Sequence, residues 1–246
     1  MNKVVLITGA SRGIGKTTAL TFAKEGFDVA FSYNRNFELA QKVKQEIENL
    51  KVKCLMLKCD ISQQKDIENM VQETVKTFGK IDVLINNASM SIDTLFQEKT
   101  PENFKKILDT NVVGTFFVSK LVGEIMLKNK GGKIINLSST NGINTYFPMC
   151  LDYDASKASI ISLTHNLAMQ FAPFVNVNAV APGFIATESE VGEMDEEFIE
   201  MEKEKIFLKR VGQEQDVANL ILFLASDKAS FINNEVIRID GGIYGS

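Results

Sequence analysis

Short apolar runs rich in β-branched residues alternate along this chain with longer amphipathic stretches, and that rhythm restricts the available folds more than any other feature. The runs KVVLITG (3–9), DVAFSY (28–33), KCLMLKC (53–59), DVLINNA (82–88), KIINLSS (133–139), VNVNAVA (175–181) and EVIRID (235–240) read as strands. Helical spacing marks about 13–25, 37–50, 63–78, 101–129, 154–172 and 214–225. In 63–78, Ile67, Met70, Val71, Thr74, Val75 and Phe78 recur at three- and four-residue intervals and form one apolar stripe. Strands separated by helices imply βαβ crossovers, hence an α/β class with a parallel sheet. No linker, low-complexity segment or repeat interrupts residues 1–246, which are read as one domain.

A chain of this length buries an extensive core without metal or disulfide support. Its net charge of −4 disfavours nonspecific nucleic-acid binding as a main role. No apolar run approaches the 18 residues of a membrane span, and MNKVVLITGA enters a strand at once, so the expectation is a cytoplasmic protein without a membrane partner. Cys54, Cys59 and Cys150 lack CxxC spacing, which fits reduced thiols and no metal site. The one histidine, His165, lies in a helical pattern and reads as a structural residue.

The first strand runs into TGASRGIG (8–15), where Gly9, Gly13 and Gly15 precede a helix. Missing side chains allow a tight turn and close approach of a ligand, and the free N–H groups of the helix start suit phosphate. The spacing is GxxxGxG, and the setting points to a dinucleotide. An NAD site usually carries an acid at the end of the second strand, to accept from ribose hydroxyls. Here DVAFSYNRN has none after Asp28, while Arg35 follows and Arg12 stands in the glycine turn. Two guanidiniums suit a 2′-phosphate, so NADP(H) is expected. Asp60, just past the third strand, is placed to accept from an adenine amino group, and INNAS (85–89) ends the fourth strand in groups suited to close packing on a cofactor.

Tyr153 and Lys157 in LDYDASKASI are four residues apart, a spacing that puts both on one helix face. A nearby ammonium stabilises a phenolate and draws its pKa down from about 10 toward working pH. The two together form a candidate acid–base pair.

TGASRGIG, INNA, Asn111 in LDTNVVGTFF, INLSS, YDASK, NAVAPGFIAT and IRIDGG occur in order and in register. Together they resemble the short-chain dehydrogenases/reductases over essentially the whole chain, with bacterial 3-oxoacyl-[acyl-carrier-protein] reductases nearest in look. The resemblance implies a doubly wound Rossmann fold with a seven-stranded, mostly parallel sheet and helices on both faces, assembled as a homotetramer. It also implies a catalytic set of Asn111, Ser139, Tyr153 and Lys157. In this reading Tyr153 is the general acid in reduction, Ser139 donates to the carbonyl oxygen, Lys157 also holds the nicotinamide ribose, and Asn111 seats a water beside Lys157. Cofactor contacts are expected from Gly9, Ser11, Arg12, Gly13, Ile14, Gly15, Asn34, Arg35, Asp60, Ile61, Asn87, Ala88, Ser89, Tyr153, Lys157, Pro182, Gly183, Ile185 and Thr187.

Three departures stand out. Ser89 occupies a position where the family usually has glycine. Ser139 and Tyr153 are 14 residues apart, one more than expected, which keeps Ser138 as a second candidate for the serine role. The family's Gln-x-Asn before the tyrosine is absent, and Tyr146, Phe147, Met149, Cys150 and Leu151 make an unusual substrate wall. Residues 184–210 carry nine acidic residues between Glu188 and Glu204 and read as a solvated insertion or a lid.

The expected substrate is a small-molecule carbonyl, with 3-oxoacyl thioesters on acyl carrier protein, as in fatty acid biosynthesis, foremost. Lys128, Lys130 and Lys133 are a candidate docking patch for that acidic carrier. A sugar, polyol or hydroxy-acid dehydrogenase is the second reading, and a nucleotide sensor without chemistry the third.

Overall fold

The structure, a computed structural model, describes residues 2–144, 146–187 and 195–243. Its strands are β1 (Val4–Ile7), β2 (Asp28–Tyr33), β3 (Cys54–Lys58), β4 (Val83–Asn86), β5 (Gly132–Leu137), β6 (Val175–Pro182), β7 (Ile185–Ala186), β8 (Gly212–Gln213) and β9 (Val236–Ile239). Seven of them form one sheet in the order β3-β2-β1-β4-β5-β6-β9, and every pairing is parallel. β7 and β8 form a separate parallel pair. The helices are α1 (Gly13–Lys24), α2 (Phe37–Asn49), α3 (Gln64–Phe78), α4 (Pro101–Leu108), α5 (Thr115–Lys128), α6 (Leu151–Phe171), α7 (Glu196–Lys205) and α8 (Glu214–Ala225).

Side-chain alternation along the strands builds two cores. Val5, Ile7, Val29, Phe31, Val83 and Ile85 point to the face covered by Phe22 of α1, Val43 and Ile47 of α2, and Ile221 of α8. Leu6, Ala30, Leu84 and Ile134 point the other way, onto Met70 of α3, Val122 and Met126 of α5, and Phe171 of α6. A sheet buried on both sides explains why its strands read as nearly continuous apolar runs.

Local chemistry sets the helix ends. Asn36 accepts from the Leu39 N–H and Thr100 from the Asn103 N–H, each as an N-cap. Gly79 stops α3 in the left-handed region at φ 80°.

Two expected helices differ from the sequence reading. α6 starts at Leu151 instead of 154, which places Tyr153 in its first turn. The long helix from 101 is continuous to Lys128 but passes through a π-helical stretch at Asp109–Gly114 that carries Asn111. Such stretches are rare and concentrate at functional sites. The same helix is long and apolar enough to cross a membrane by length and composition, which the sequence reading did not anticipate. Here Val118, Val122 and Met126 turn that apolar face onto the sheet.

A polar chain crosses the apolar interior. Asn86 donates to the Ser119 hydroxyl (2.7 Å) and to Asn136 Oδ1 (2.8 Å), and Asn136 donates to the Thr164 hydroxyl (2.9 Å), so α5, β4, β5 and α6 are pinned in register. Asn136→Ala strands the partners on both sides. It is expected to lower stability by about 1–3 kcal/mol, read as a lower urea midpoint at constant slope.

Candidate active site

The strand order reverses between β1 and β4, where successive crossovers leave in opposite directions and open a crevice at the carboxyl ends of the strands. A cleft of about 280 Å³ lies there. Ile14, Asn87, Ser89, Ser139, Tyr153, Lys157, Pro182, Gly183, Ile185 and Thr187 line it, all of them picked from the sequence, together with Leu137, Ser138 and Phe184.

Lys157 is buried, and its Nζ donates to the carbonyl of Leu137, the last residue of β5, at 2.8 Å. Burial without a paired carboxylate pushes its pKa down from 10.5 to about 8. The same Nζ lies 5.3 Å from the centroid of the Tyr153 ring. The pairing inferred from sequence spacing therefore exists in space.

The two serines separate cleanly. Ser138 donates its hydroxyl to the Lys157 carbonyl at 2.8 Å and is buried there. Ser139 caps a short turn at Thr140–Gly142, where its oxygen accepts from the Asn141 N–H at 3.2 Å. Asn141 in turn donates to Asp154 Oδ1 (2.6 Å), and Asp154 also accepts from the Phe147 N–H (3.2 Å). Asp154 thus folds the one-residue-longer stretch back onto α6. A Cβ on Gly142 would stand 2.6 Å from the Lys157 carbonyl carbon, so only glycine lets this turn lie against α6. Asn141, Gly142 and Asp154 were not singled out in the sequence. Their signal was the Asn-Gly pair just past a strand end, which reads as an ordinary turn.

Asn111 is 2% exposed, and its side chain is committed on both ends. Oδ1 accepts from the Met90 N–H (2.8 Å), while Nδ2 donates to the Met90 carbonyl (2.9 Å) and the Ser156 hydroxyl (3.0 Å). It ties the segment after β4 to α6 beside Lys157.

The glycine turn fits a dinucleotide. Among the described residues no side chain caps the start of α1 and no acid stands in its first turn, a setting suited to phosphate. Gly9 approaches β4 so closely that an added Cβ would lie 2.8 Å from Ala88 Cα. Asn87 donates to the carbonyls of Thr8 and Gly9, which locks the turn to β4. Asn34, Arg35 and Asp60 meet past the ends of β2 and β3. Burial raises the Asp60 pKa, but hydrogen bonds from the Ser62 N–H, the Ser62 hydroxyl and Asn34, with the charge of Arg35, outweigh it and hold the carboxyl low. Ser32 of β2, which receives the Gly9 N–H at 3.2 Å, leaves that strand end without an acid. The arginines engaged in ion pairs are Arg210, with Asp216, and Arg238, with Asp240; Arg12 and Arg35 are exposed and have no such partner among the described residues. Ser11 lies in the turn itself and Ile61 follows Asp60 as a buried residue, neither of them lining the cleft.

Other expectations resolve differently. Lys128, Lys130 and Lys133 lie where α5 returns the chain to the start of β5, since Lys133 pairs with Val83 at the first residue of β4. That is the end of the sheet opposite the cleft, so they do not form a docking patch at its mouth. His165 is exposed and bonds Asn234 through Nδ1 at 2.7 Å, as a structural residue would. Within 184–210, residues 188–194 lie outside the described residues. Beyond them α7 is held at both ends: Phe198 meets Phe184 edge-on at 5.9 Å, and Phe207 donates its N–H to the Gly242 carbonyl at 2.8 Å.

A doubly wound sheet with a phosphate-ready glycine turn, and a buried lysine beneath a tyrosine and a serine, defines an oxidoreductase that uses a nicotinamide cofactor on CH–OH/C=O groups. Comparison with known proteins agrees. Residues 9–244 match a family model described as enoyl-(acyl carrier protein) reductase. The chain is 38% identical over 245 residues to the 3-oxoacyl-[acyl-carrier-protein] reductase FabG of Staphylococcus epidermidis, covering 99% of this chain and 100% of that one. To the protein of the same name from Thermotoga maritima it is 39% identical over 242 residues, 98% and 97% of the two chains. A short-chain type dehydrogenase/reductase of Mycobacterium marinum superposes with a TM-score of 0.89 at 33% identity, covering 99% and 96%. The chain belongs to the short-chain dehydrogenase/reductase family.

Lys157 makes the stability of the nucleotide-free protein depend on pH. Its folded pKa of about 8 lies below its ordinary 10.5, so between those values the folded state binds fewer protons than the unfolded one. The cost of the buried charge is full below about pH 8 and fades as pH climbs toward 10.5. The Tm of the wild type relative to Lys157→Met is therefore expected to rise over that range in a thermal-melt series.

Proposed function

We propose that this protein is an NADPH-dependent reductase of 3-oxoacyl thioesters, with the acyl group carried on acyl carrier protein or a comparable thiol. The observation that carries the chemistry is Lys157, an ammonium withdrawn from water directly under the Tyr153 ring. The bound nicotinamide supplies the hydride. Tyr153 holds the proton at Oη and passes it to the substrate oxygen, and Lys157 stabilises the phenolate left behind. Ser139, whose oxygen accepts from the Asn141 N–H and whose hydroxyl donates to Asn141 Oδ1 at 3.4 Å, turns that hydrogen to the same substrate oxygen as negative charge develops there. Ser138, spent on the Lys157 carbonyl, has a supporting part. Asn111 keeps Met90 and Ser156 in place around this set.

NADPH over NADH rests on Arg12 and Arg35, exposed beside a β2 end that lacks an acid. The thioester substrate rests on the similarity to 3-oxoacyl-[acyl-carrier-protein] reductases and on exposed apolar side chains at Leu95, Phe96, Tyr146, Phe147 and Leu151 in segments that flank Tyr153. Phe184 in the cleft wall carries Phe198 of α7. Residues 1–246 are taken as one domain of a cytoplasmic homotetramer.

One observation favours a free small substrate, such as a polyol, sugar or hydroxy acid. α7 is rich in acid, and like charge beside the cleft slows docking of an acidic carrier. A panel of acetoacetyl thioesters, polyols and sugars with both nucleotides separates the two. Thioester turnover with NADPH is expected, and turnover of polyols or sugars alone would replace the first reading with the second. Tyr153→Phe is expected to lower kcat by about 10²–10⁴-fold while NADPH affinity stays within about threefold. A nucleotide sensor would show no such split. Arg35→Ala is expected to raise the KM for NADPH about tenfold or more and that for NADH much less, measured by initial rates.

A further inference from the structure

An ion pair just outside the cleft has no part in the chemistry above. Asp152, the residue before Tyr153, is fully buried, and its Oδ1 accepts from Lys99 Nζ at 2.7 Å, the lysine side chain being 8% exposed. The same Oδ1 accepts from the Tyr153 N–H at 3.0 Å, while Oδ2 has no hydrogen-bond partner among the described residues. Cys150, the N-cap of α6, makes no side-chain cap, so Asp152 meets the Tyr153 donor that the helix start leaves open. Lys99 also donates to the Ile92 carbonyl, closing the 92–99 segment on itself. Two further bonds follow the same seam: the Thr94 N–H to the Met149 carbonyl (3.3 Å) and the Cys150 thiol to Asp93 Oδ1 (3.0 Å).

We propose that Lys99 and Asp152 form a charge-matched clamp that positions Tyr153 by fastening the 91–99 segment to the first turn of α6. Both are positioning residues, and the proposal rests on the reading of Tyr153 as proton donor. Asp152 is a carboxylate in a site fully withdrawn from water. A buried carboxylate is costly without hydrogen bonds or a cation in contact, and Lys99 supplies the cation from a different segment. Loss of either partner leaves the other charge stranded one residue from the phenol, and the first turn must shift or take in water to relieve it. Loss of both removes the conflict.

The test is a double-mutant cycle in NADPH-dependent turnover of the carbonyl substrate that the panel finds fastest. Lys99→Met and Asp152→Asn are each expected to lower kcat about tenfold or more with the KM for NADPH within about twofold, because the nucleotide's glycine turn lies elsewhere. The double variant is expected to return to within about threefold of wild-type kcat and to recover Tm. Lys99→Gln, which keeps a donor without the charge, serves if a single variant does not fold, and is expected to lower kcat about fivefold or more. A double variant no better than the worse single overturns the clamp, as do single variants that lose Tm while kcat per folded site is unchanged. Tyr153→Phe run alongside keeps the two readings apart. If it retains turnover, the proton-donor reading fails; if it loses turnover while the cycle shows no coupling, only the clamp fails.

Discussion

A parallel sheet that reverses its direction of winding leaves the ends of two neighbouring strands without a crossover to cover them. Here the break falls between β1 and β4, and each element at the cleft answers to it. The glycine turn leaves β1 and presents the start of α1. Asn87 leaves β4 and bonds back to the carbonyls of Thr8 and Gly9, so the two strand ends stay level. The Leu137 carbonyl at the end of β5 would lack a partner, and Lys157 reaches it from α6. The lysine that satisfies a strand end is the same one that sits beneath Tyr153, which couples the sheet's architecture to its chemistry.

That coupling explains how polar groups persist so deep in the protein. The Asn86–Asn136–Thr164 chain and the Ser138–Lys157 bond join the sheet to α6, and the Asn111–Ser156 bond joins the π-helical stretch to α6. Each bond joins two different elements, so none can form until the elements have packed. Together they fix the rotation of α6 about its axis, and with it the direction in which Tyr153 and Lys157 face. A purely apolar contact between α6 and the sheet would hold the same area but tolerate sliding.

The alternation of strand and helix could be read along the chain because period-two and period-3.6 patterns are local. So could the glycine turn and the Tyr153–Lys157 spacing, since both depend on residues within one or two turns of each other. Three features were not local. The π-helical stretch at Asp109–Gly114 leaves no mark in an apolar pattern that continues through it. The different partners of the two serines, with Ser138 donating to the Lys157 carbonyl, depend on a contact across 19 positions. The side-chain commitments of Asn111 depended on Met90, which has no polar side chain to announce it.

By itself, then, the order of residues determined a parallel α/β sheet, a phosphate-ready turn and a tyrosine–lysine pair, because each arises from backbone preference or short-range periodicity. Tertiary structure alone decided that Lys128, Lys130 and Lys133 lie at the far end of the sheet from the cleft, and that Lys99 answers Asp152 across 53 positions. The physical reason is the same in both cases. Charges act through distance and burial, and both are properties of the packed chain.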